Sequence, residues 1–180
     1  MSNNQFQEEV KIAISGRSGC GNTTVSELLA KTLGVQMVNY TFRSLAKEEL
    51  MDFAEICAQA ETDPKWDYLV DHRQVEMANK HPSVLGSRLA IWLWKEARLK
   101  VYLDAPLEVR AQRISGRETA EVEKVLKETL ERDTRDTGRY KKLYNIDNTD
   151  FGFADLIIDT SLHSPQEIVQ IILEEWKKRN

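Results

Sequence analysis

Gly16-Arg17-Ser18-Gly19-Cys20-Gly21-Asn22-Thr23-Thr24 is the stretch on which the reading of this chain turns. It follows Val10-Lys11-Ile12-Ala13-Ile14-Ser15, a short β-branched run stopped by Gly16, as a buried parallel strand is. Beyond it Val25, Leu28, Leu29 and Leu33 fall at helical spacing until Gly34 ends the pattern. Strand, glycine-rich turn and helix together make a phosphate-holding arrangement. The glycines let successive backbone N–H groups turn inward around an anion, and the helix N-terminus directs its positive end to the same place. The hydroxyl of Thr23 falls where a nucleotide-bound Mg²⁺ takes an oxygen ligand.

One position departs from the motif G-x-x-x-x-G-K-[ST], which has lysine where this chain has Asn22. An amide donates to phosphate oxygens but brings no charge, so ground-state affinity and stabilisation of a migrating phosphoryl group both suffer. The other reading of the stretch is a plain connector between strand and helix. Cys20, at a helix N-terminus, reads either as a small side chain filling the loop or as a redox-active thiolate.

The chain of 180 residues is long enough for one α/β domain with a mobile insertion. A formal charge of −4 disfavours a partner bound through a phosphate backbone, so no nucleic acid is expected. Two cysteines, Cys20 and Cys57, make neither a disulfide framework nor a metal-ligand spacing. No apolar run reaches membrane-spanning length, and Met1 to Glu9 is polar without a signal core, so a cytoplasmic protein is expected. A monomer is favoured, although nothing in the sequence addresses assembly.

In chain order, Val35 to Asn39 reads as a second strand, and Thr41 caps a helix with Phe42, Leu45, Ala46 and Leu50. Glu55 to Asp63 reads as a polar connection to a second helix after Pro64, and this helical pair could cover a small substrate. Ser83-Val84-Leu85 is a third strand leading to Gly86-Ser87-Arg88, then a buried helix over Leu89 to Trp94. Leu99 to Asp104 is a fourth strand, and Pro106 opens a helix on which Arg110, Arg113 and Arg117 share a face. A charged helix is expected from about Glu118 to Asp136, with Arg132, Arg135 and Arg139 spaced likewise. Asp155 to Asp159 is a fifth strand, and Ser164 to Glu167 has capping-box spacing. Alternation of this kind specifies a parallel sheet covered on both faces, with ligands at the strand carboxyl ends.

Phosphoryl transfer between two anionic nucleotides needs positive charge over both phosphate groups and exclusion of water. Arginine suits this through its planar fork. The arginine-bearing helical faces could form a closing lid, or could be solvated charges paired with Glu108, Glu128, Glu131 or Asp136. Arg43 and Arg88, isolated at element boundaries, read as monophosphate binders. Asp159 could accept from a base or ribose, or merely cap the following turn.

Taken together these stretches resemble the nucleoside monophosphate kinases, specifically the short cytidylate kinases of archaeal type. The resemblance rests on Ile14 through Thr24, Phe42-Arg43-Ser44-Leu45-Ala46, Asp71-His72-Arg73-Gln74, Ser87-Arg88-Leu89-Ala90, Val101 through Arg110, Arg132-Asp133 with Arg139-Tyr140, and Asp155 through Ser161. It implies a P-loop NTPase three-layer fold with a five-stranded parallel sheet. A monophosphate-binding insertion at about 40–80 and a lid at about 113–140 belong to it. It implies transfer of the ATP γ-phosphoryl group to CMP or dCMP with Mg²⁺. Gly16 to Thr24 would hold the ATP phosphates and Thr23 the metal. Arg43 and Arg88 would take the CMP phosphate, Asp71 and Arg73 would line the acceptor pocket, and Arg110, Arg113, Arg132 and Arg139 would belong to the lid. Relatives carry lysine at Asn22 and an acidic residue at Gly86, where a carboxylate helps to position Mg²⁺. Losing both leaves three readings: a slow cytidylate kinase in which Arg17 or a lid arginine compensates, a nucleotide-binding protein without transfer, or a kinase for another small acceptor.

Overall fold

The computed structural model describes residues 10–179; the polar stretch Met1 to Glu9 lies outside them. The β-branched runs form a five-stranded, wholly parallel sheet in the order β2-β3-β1-β4-β5. Its strands are β1 (Lys11–Gly16), β2 (Gln36–Val38), β3 (Ser83–Gly86), β4 (Leu99–Asp104) and β5 (Leu156–Asp159). The helices are α1 (Asn22–Leu33), α2 (Phe42–Glu48), α3 (Phe53–Thr62), α4 (Lys65–Lys80), α5 (Ala90–Leu93), α6 (Leu107–Glu118), α7 (Val122–Tyr144) and α8 (Pro165–Arg179).

Both faces of the central strands are covered, which is why β1 and β4 read as continuous apolar runs rather than alternating ones. On one face Val25 and Leu29 of α1 and Ile168, Ile172 and Trp176 of α8 pack on Ile12, Ile14, Val101 and Leu103. On the other, Ala13, Leu85 and Tyr102 meet Ala78 of α4, Ile91 and Trp92 of α5, and Trp94. Ile14 lies opposite Gly86 and Gly16 opposite Leu103, so the carboxyl ends of β1, β3 and β4 stand side by side. Every loop with chemistry in it leaves from that edge. No helix among the described residues is long and apolar enough to cross a membrane.

Two stretches differ from expectation. Of Glu55 to Asp63, read as a polar connection, all but Asp63 is helical: Asp52 Oδ1 accepts from Ala54 N at 2.8 Å and Glu55 N at 3.3 Å, and Ile56 and Ala60 bury a narrow stripe of α3. Three helices, not two, therefore separate β2 from β3, with their own small core of Leu45, Ile56, Trp66 and Val70. The charged helix begins later and runs further than its composition suggests. Thr119 adopts φ 53 and breaks the chain after α6, while α7 continues through Gly138 to Tyr144 and stops where Asn145 takes φ 55. The capping box at Ser164 forms, with Ser164 N and Oγ both donating to Glu167 Oε2.

Candidate active site

β1 delivers the chain to Gly16, and α1 starts six residues on at Asn22, so the turn between them has room for one tight ring of backbone. Gly19 has φ 86, and a Cβ there would sit 2.8 Å from Arg110 Cβ and 2.9 Å from the Arg110 carbonyl, so no other residue fits. Thr23 and Thr24 are exposed at the helix start. Asn22 turns its amide inward: Nδ2 donates to Gly16 O at 2.6 Å, closing the neck of the loop, and Oδ1 is buried without a partner. The expectation that this amide faces phosphate oxygens meets that competing bond. Burial pushes the Cys20 thiol up to about 11, against the opposing pull of the Arg110 guanidinium, so at neutral pH it is a small protonated side chain.

A cleft of about 910 Å³ opens over this loop. Its wall includes Arg17 through Val25, Arg43, Asp71, Gly86, Arg88, Arg113, Arg117 and Arg132. Arg73, Arg110, Arg139 and Asp159 are not brought to it, for reasons visible in their partners. Arg110 is 3% exposed and is spent inside the fold: Nε donates to Ala105 O and Nη1 to Ser18 O, each at 3.2 Å, and Nη2 to Asp133 at 2.8 Å. Arg139 Nε donates to Asp67 Oδ1 at 2.9 Å and Nη2 to Ala60 O at 2.7 Å, fastening α7 to the helical insertion. Arg73 pairs with Glu48 and Glu76 on the outer side of α4. Asp159 Oδ1 accepts from Ser161 N at 2.8 Å and Ser161 Oγ at 2.6 Å, the turn-capping alternative.

Of the arginines in the cleft wall, Arg43 and Arg113 pair with no carboxylate among the described residues. Arg113 Nη1 donates to Thr160 Oγ1 at 2.8 Å and Nη2 to Thr160 O at 2.6 Å, which leans its guanidinium against Gly19 O at 3.3 Å. The Arg43 guanidinium lies 4.0 Å from the centre of the Phe53 ring. Arg88 Nη2 donates to Ser18 Oγ at 2.7 Å while Nη1 pairs with Asp136. Burial holds the Asp136 carboxyl above the usual carboxylate range despite that pairing, so its claim on Arg88 is weakened. Asp136, expected as a partner of the arginines on the helical faces, pairs instead with Arg88, and Asp133, one helical turn away on α7, is the carboxylate whose pairing sequence reasoning missed. Their spacing was the available signal.

On the far side of the cleft Asp71 Oδ2 accepts from Tyr144 Oη at 2.5 Å and Oδ1 from Gln74 Nε2 at 3.0 Å. Desolvation pushes Asp71 up to about 6, with Asp67 adding to the shift and Tyr144 and Arg139 opposing it. Gly86 has no space for a side chain. A Cβ there would stand 2.9 Å from Ser26 Cβ and closer still to Ser26 Oγ, which is itself buried and unpartnered. Among the described residues no cluster of three His, Cys, Asp or Glu could hold a metal.

A parallel sheet with a glycine loop between β1 and α1 and an arginine-lined cleft at its carboxyl edge defines the P-loop kinase class. Solved structures of that fold align over nearly the whole chain. Shikimate kinase from Bacteroides thetaiotaomicron superposes with a TM-score of 0.63 at 15% identity, covering 92% of this chain and 96% of that one. Deoxyadenosine kinase from M. mycoides with bound dATP superposes with a TM-score of 0.54 at 15% identity, covering 93% and 100%. Within that class the chain belongs to the cytidylate kinase-like family, whose sequence profile matches residues 11–162. It is 45% identical to cytidylate kinase 2 of Borreliella burgdorferi over 175 residues, 95% of this chain and 97% of that protein. Cytidylate kinase of Pyrococcus horikoshii is 40% identical over 168 residues, 92% of this chain and 88% of that protein.

Proposed function

We propose that this protein is a cytidylate kinase that transfers the γ-phosphoryl group of ATP to CMP or dCMP, giving CDP or dCDP. The observation that carries the reading is the bond from Arg88 to Ser18 Oγ at 2.7 Å, which sets an arginine directly against the phosphate loop. An anion bound by Arg88 therefore lies one side chain away from an anion bound by the loop, the spacing that transfer between two phosphates requires.

In this reading the amides of Gly19 to Thr24 hold the donor phosphates, with Arg113 beside the loop and Arg117 and Arg132 of the cleft wall supplying charge. Arg43 and Arg88 take the acceptor phosphate, Arg88 exchanging Asp136 for it and Arg43 leaving the Phe53 ring. The helical insertion (about 40–80) and the segment at about 113–140 close over the pair and exclude water, with Arg139 and Asp67 joining the two. Bound with the nucleotide, Mg²⁺ would supply positive charge against the donor phosphates. The residue that would hold it is Thr23, exposed at the start of α1, whose hydroxyl suits a cation that keeps phosphate and water oxygens for most of its ligands. A cytoplasmic monomer of pyrimidine nucleotide metabolism belongs to this reading; the net charge of −4 bears only on a nucleic-acid partner, which it disfavours.

The test is coupled ADP release with CMP, dCMP, UMP and AMP in the presence of Mg²⁺ and ATP. CMP turnover is expected, and Arg88→Ala should raise the KM for CMP by about tenfold or more while leaving that for ATP within about twofold. Binding of nucleotides with no transfer to any acceptor overturns the assignment.

A further inference from the structure

We infer that Gln74 reads the 4-amino group of the acceptor base, accepting its hydrogen through Oε1, and so selects cytosine over uracil. The inference rests on the cytidylate kinase reading above. Gln74 sits on α4 in the cleft wall and is only 5% exposed. Its Nε2 donates to Asp71 Oδ1 at 3.0 Å, and the other Asp71 oxygen accepts from Tyr144 Oη at 2.5 Å. Both bonds run from a donor to Asp71, which therefore serves as the acceptor of the pair. That settles which way the amide points: its NH₂ group faces Asp71 and its carbonyl oxygen faces away.

The oxygen so directed is buried and has no partner among the described residues. A buried amide oxygen left unpaired opposes folding, so its persistence in the wall of a ligand cleft marks a place for a donor. Cytosine carries an amino donor at C4, whereas uracil carries a carbonyl there, which would set two acceptors against each other. The discrimination is built before ligand arrives, because Tyr144 on α7 and Gln74 on α4 grip the same carboxylate from two elements. A site that hydrogen-bonds a substrate group rejects the analogue lacking it far more strongly than an apolar pocket can.

The experiment compares kcat/KM for CMP, UMP and the monophosphate of 2-pyrimidinone riboside, which lacks the 4-amino group, in the native protein and in Gln74→Met. The native protein should prefer CMP over either alternative by about 100-fold or more. Gln74→Met should lose about 30-fold or more on CMP while leaving the pyrimidinone nucleotide within about threefold. A CMP preference unchanged in the variant overturns the inference. Should the variant fail to fold, equal kcat/KM for CMP and the pyrimidinone nucleotide in the native protein overturns it alone. If the native protein transfers no phosphoryl group, the assignment as a kinase fails. Calorimetric affinities for the same three nucleotides then supply the ratio by which Gln74 is judged.

Discussion

Removing the Asp133 carboxylate tests whether the phosphate loop is held from below. Arg110, 3% exposed, meets one carboxylate, Asp133 at 2.8 Å, and two carbonyls, Ala105 and Ser18 at 3.2 Å each. The Asp133 side chain is 11% exposed and also receives Arg17 at 3.8 Å. Breaking a buried pair by deleting one partner costs about 3–5 kcal/mol, because the other charge stays desolvated and alone. The two carbonyl acceptors remain with Arg110, which places Asp133→Ala near the lower end, about 3 kcal/mol. For a domain of this size each kcal/mol shifts Tm by about 2–4 °C, so a fall of about 6–12 °C is expected. Thermal unfolding followed by far-UV circular dichroism, with urea titration for the free energy, measures it. The control is Arg110→Met with Asp133→Leu, which removes both charges and keeps the Cβ that backs Gly19; it should recover most of the loss. A cost for Asp133→Ala below about 1 kcal/mol, or a double variant no better than the single one, refutes the view that this pair carries the loop.

Asp71→Asn should change how stability depends on pH. The native carboxyl titrates at about 6 against 3.8 unperturbed, so the folded state holds this proton more tightly and native stability falls as pH rises from about 4 to about 6. Allowing for its partial exposure, the loss is about 2 kcal/mol, absent in Asp71→Asn; parallel urea midpoints for the two proteins between pH 4.5 and 7.5 would contradict this. Gly86→Asp should destabilise by about 1–3 kcal/mol because its Cβ meets Ser26, and adding Ser26→Gly should restore more than half. Equal urea midpoints for Gly86→Asp with and without Ser26→Gly would show that Ser26 is not the obstacle.

What the sequence made legible was whatever has a local cause. The loop could be read because glycines at Gly16, Gly19 and Gly21 sit between an apolar run and a helical stripe, and the strands because β-branched residues buried on two faces give unbroken runs. The helix α3 was hidden because its buried stripe is only Ile56 and Ala60, too slight against Glu55, Gln59, Glu61 and Thr62. The length of α7 was hidden because Gly138 looks like a stop; it lies inside the helix with open space around it, and the roughly 1 kcal/mol that such a glycine costs does not end α7. Arg110 looked like the solvated arginines beside it on α6, and its partner Asp133 lies on the next helix. No periodicity links the two.

The arginines sort themselves by what already holds them, and that sorting bears on the missing lysine. Arg110 and Arg139 are tied to Asp133 and Asp67 and to backbone carbonyls, so they organise the loop and the helical insertion rather than face the cleft. Arg43, Arg113, Arg117 and Arg132 line the cleft and form no ion pair with any described residue. Their charge is therefore available to anions without first displacing a carboxylate. Arg88 is the intermediate case, in the wall yet paired with Asp136, whose burial disfavours its charged form. Position 22 of the loop carries no cation, its amide instead closing the neck at Gly16, and the loop's own charge is that of Arg17, 3.8 Å from Asp133. Apart from Arg17, the positive charge of the cleft wall is carried outside the loop by Arg43, Arg88, Arg113, Arg117 and Arg132, so tight holding of phosphates is expected only when those segments lie against it. Transfer then depends on closure more steeply than in a loop that carries its own lysine.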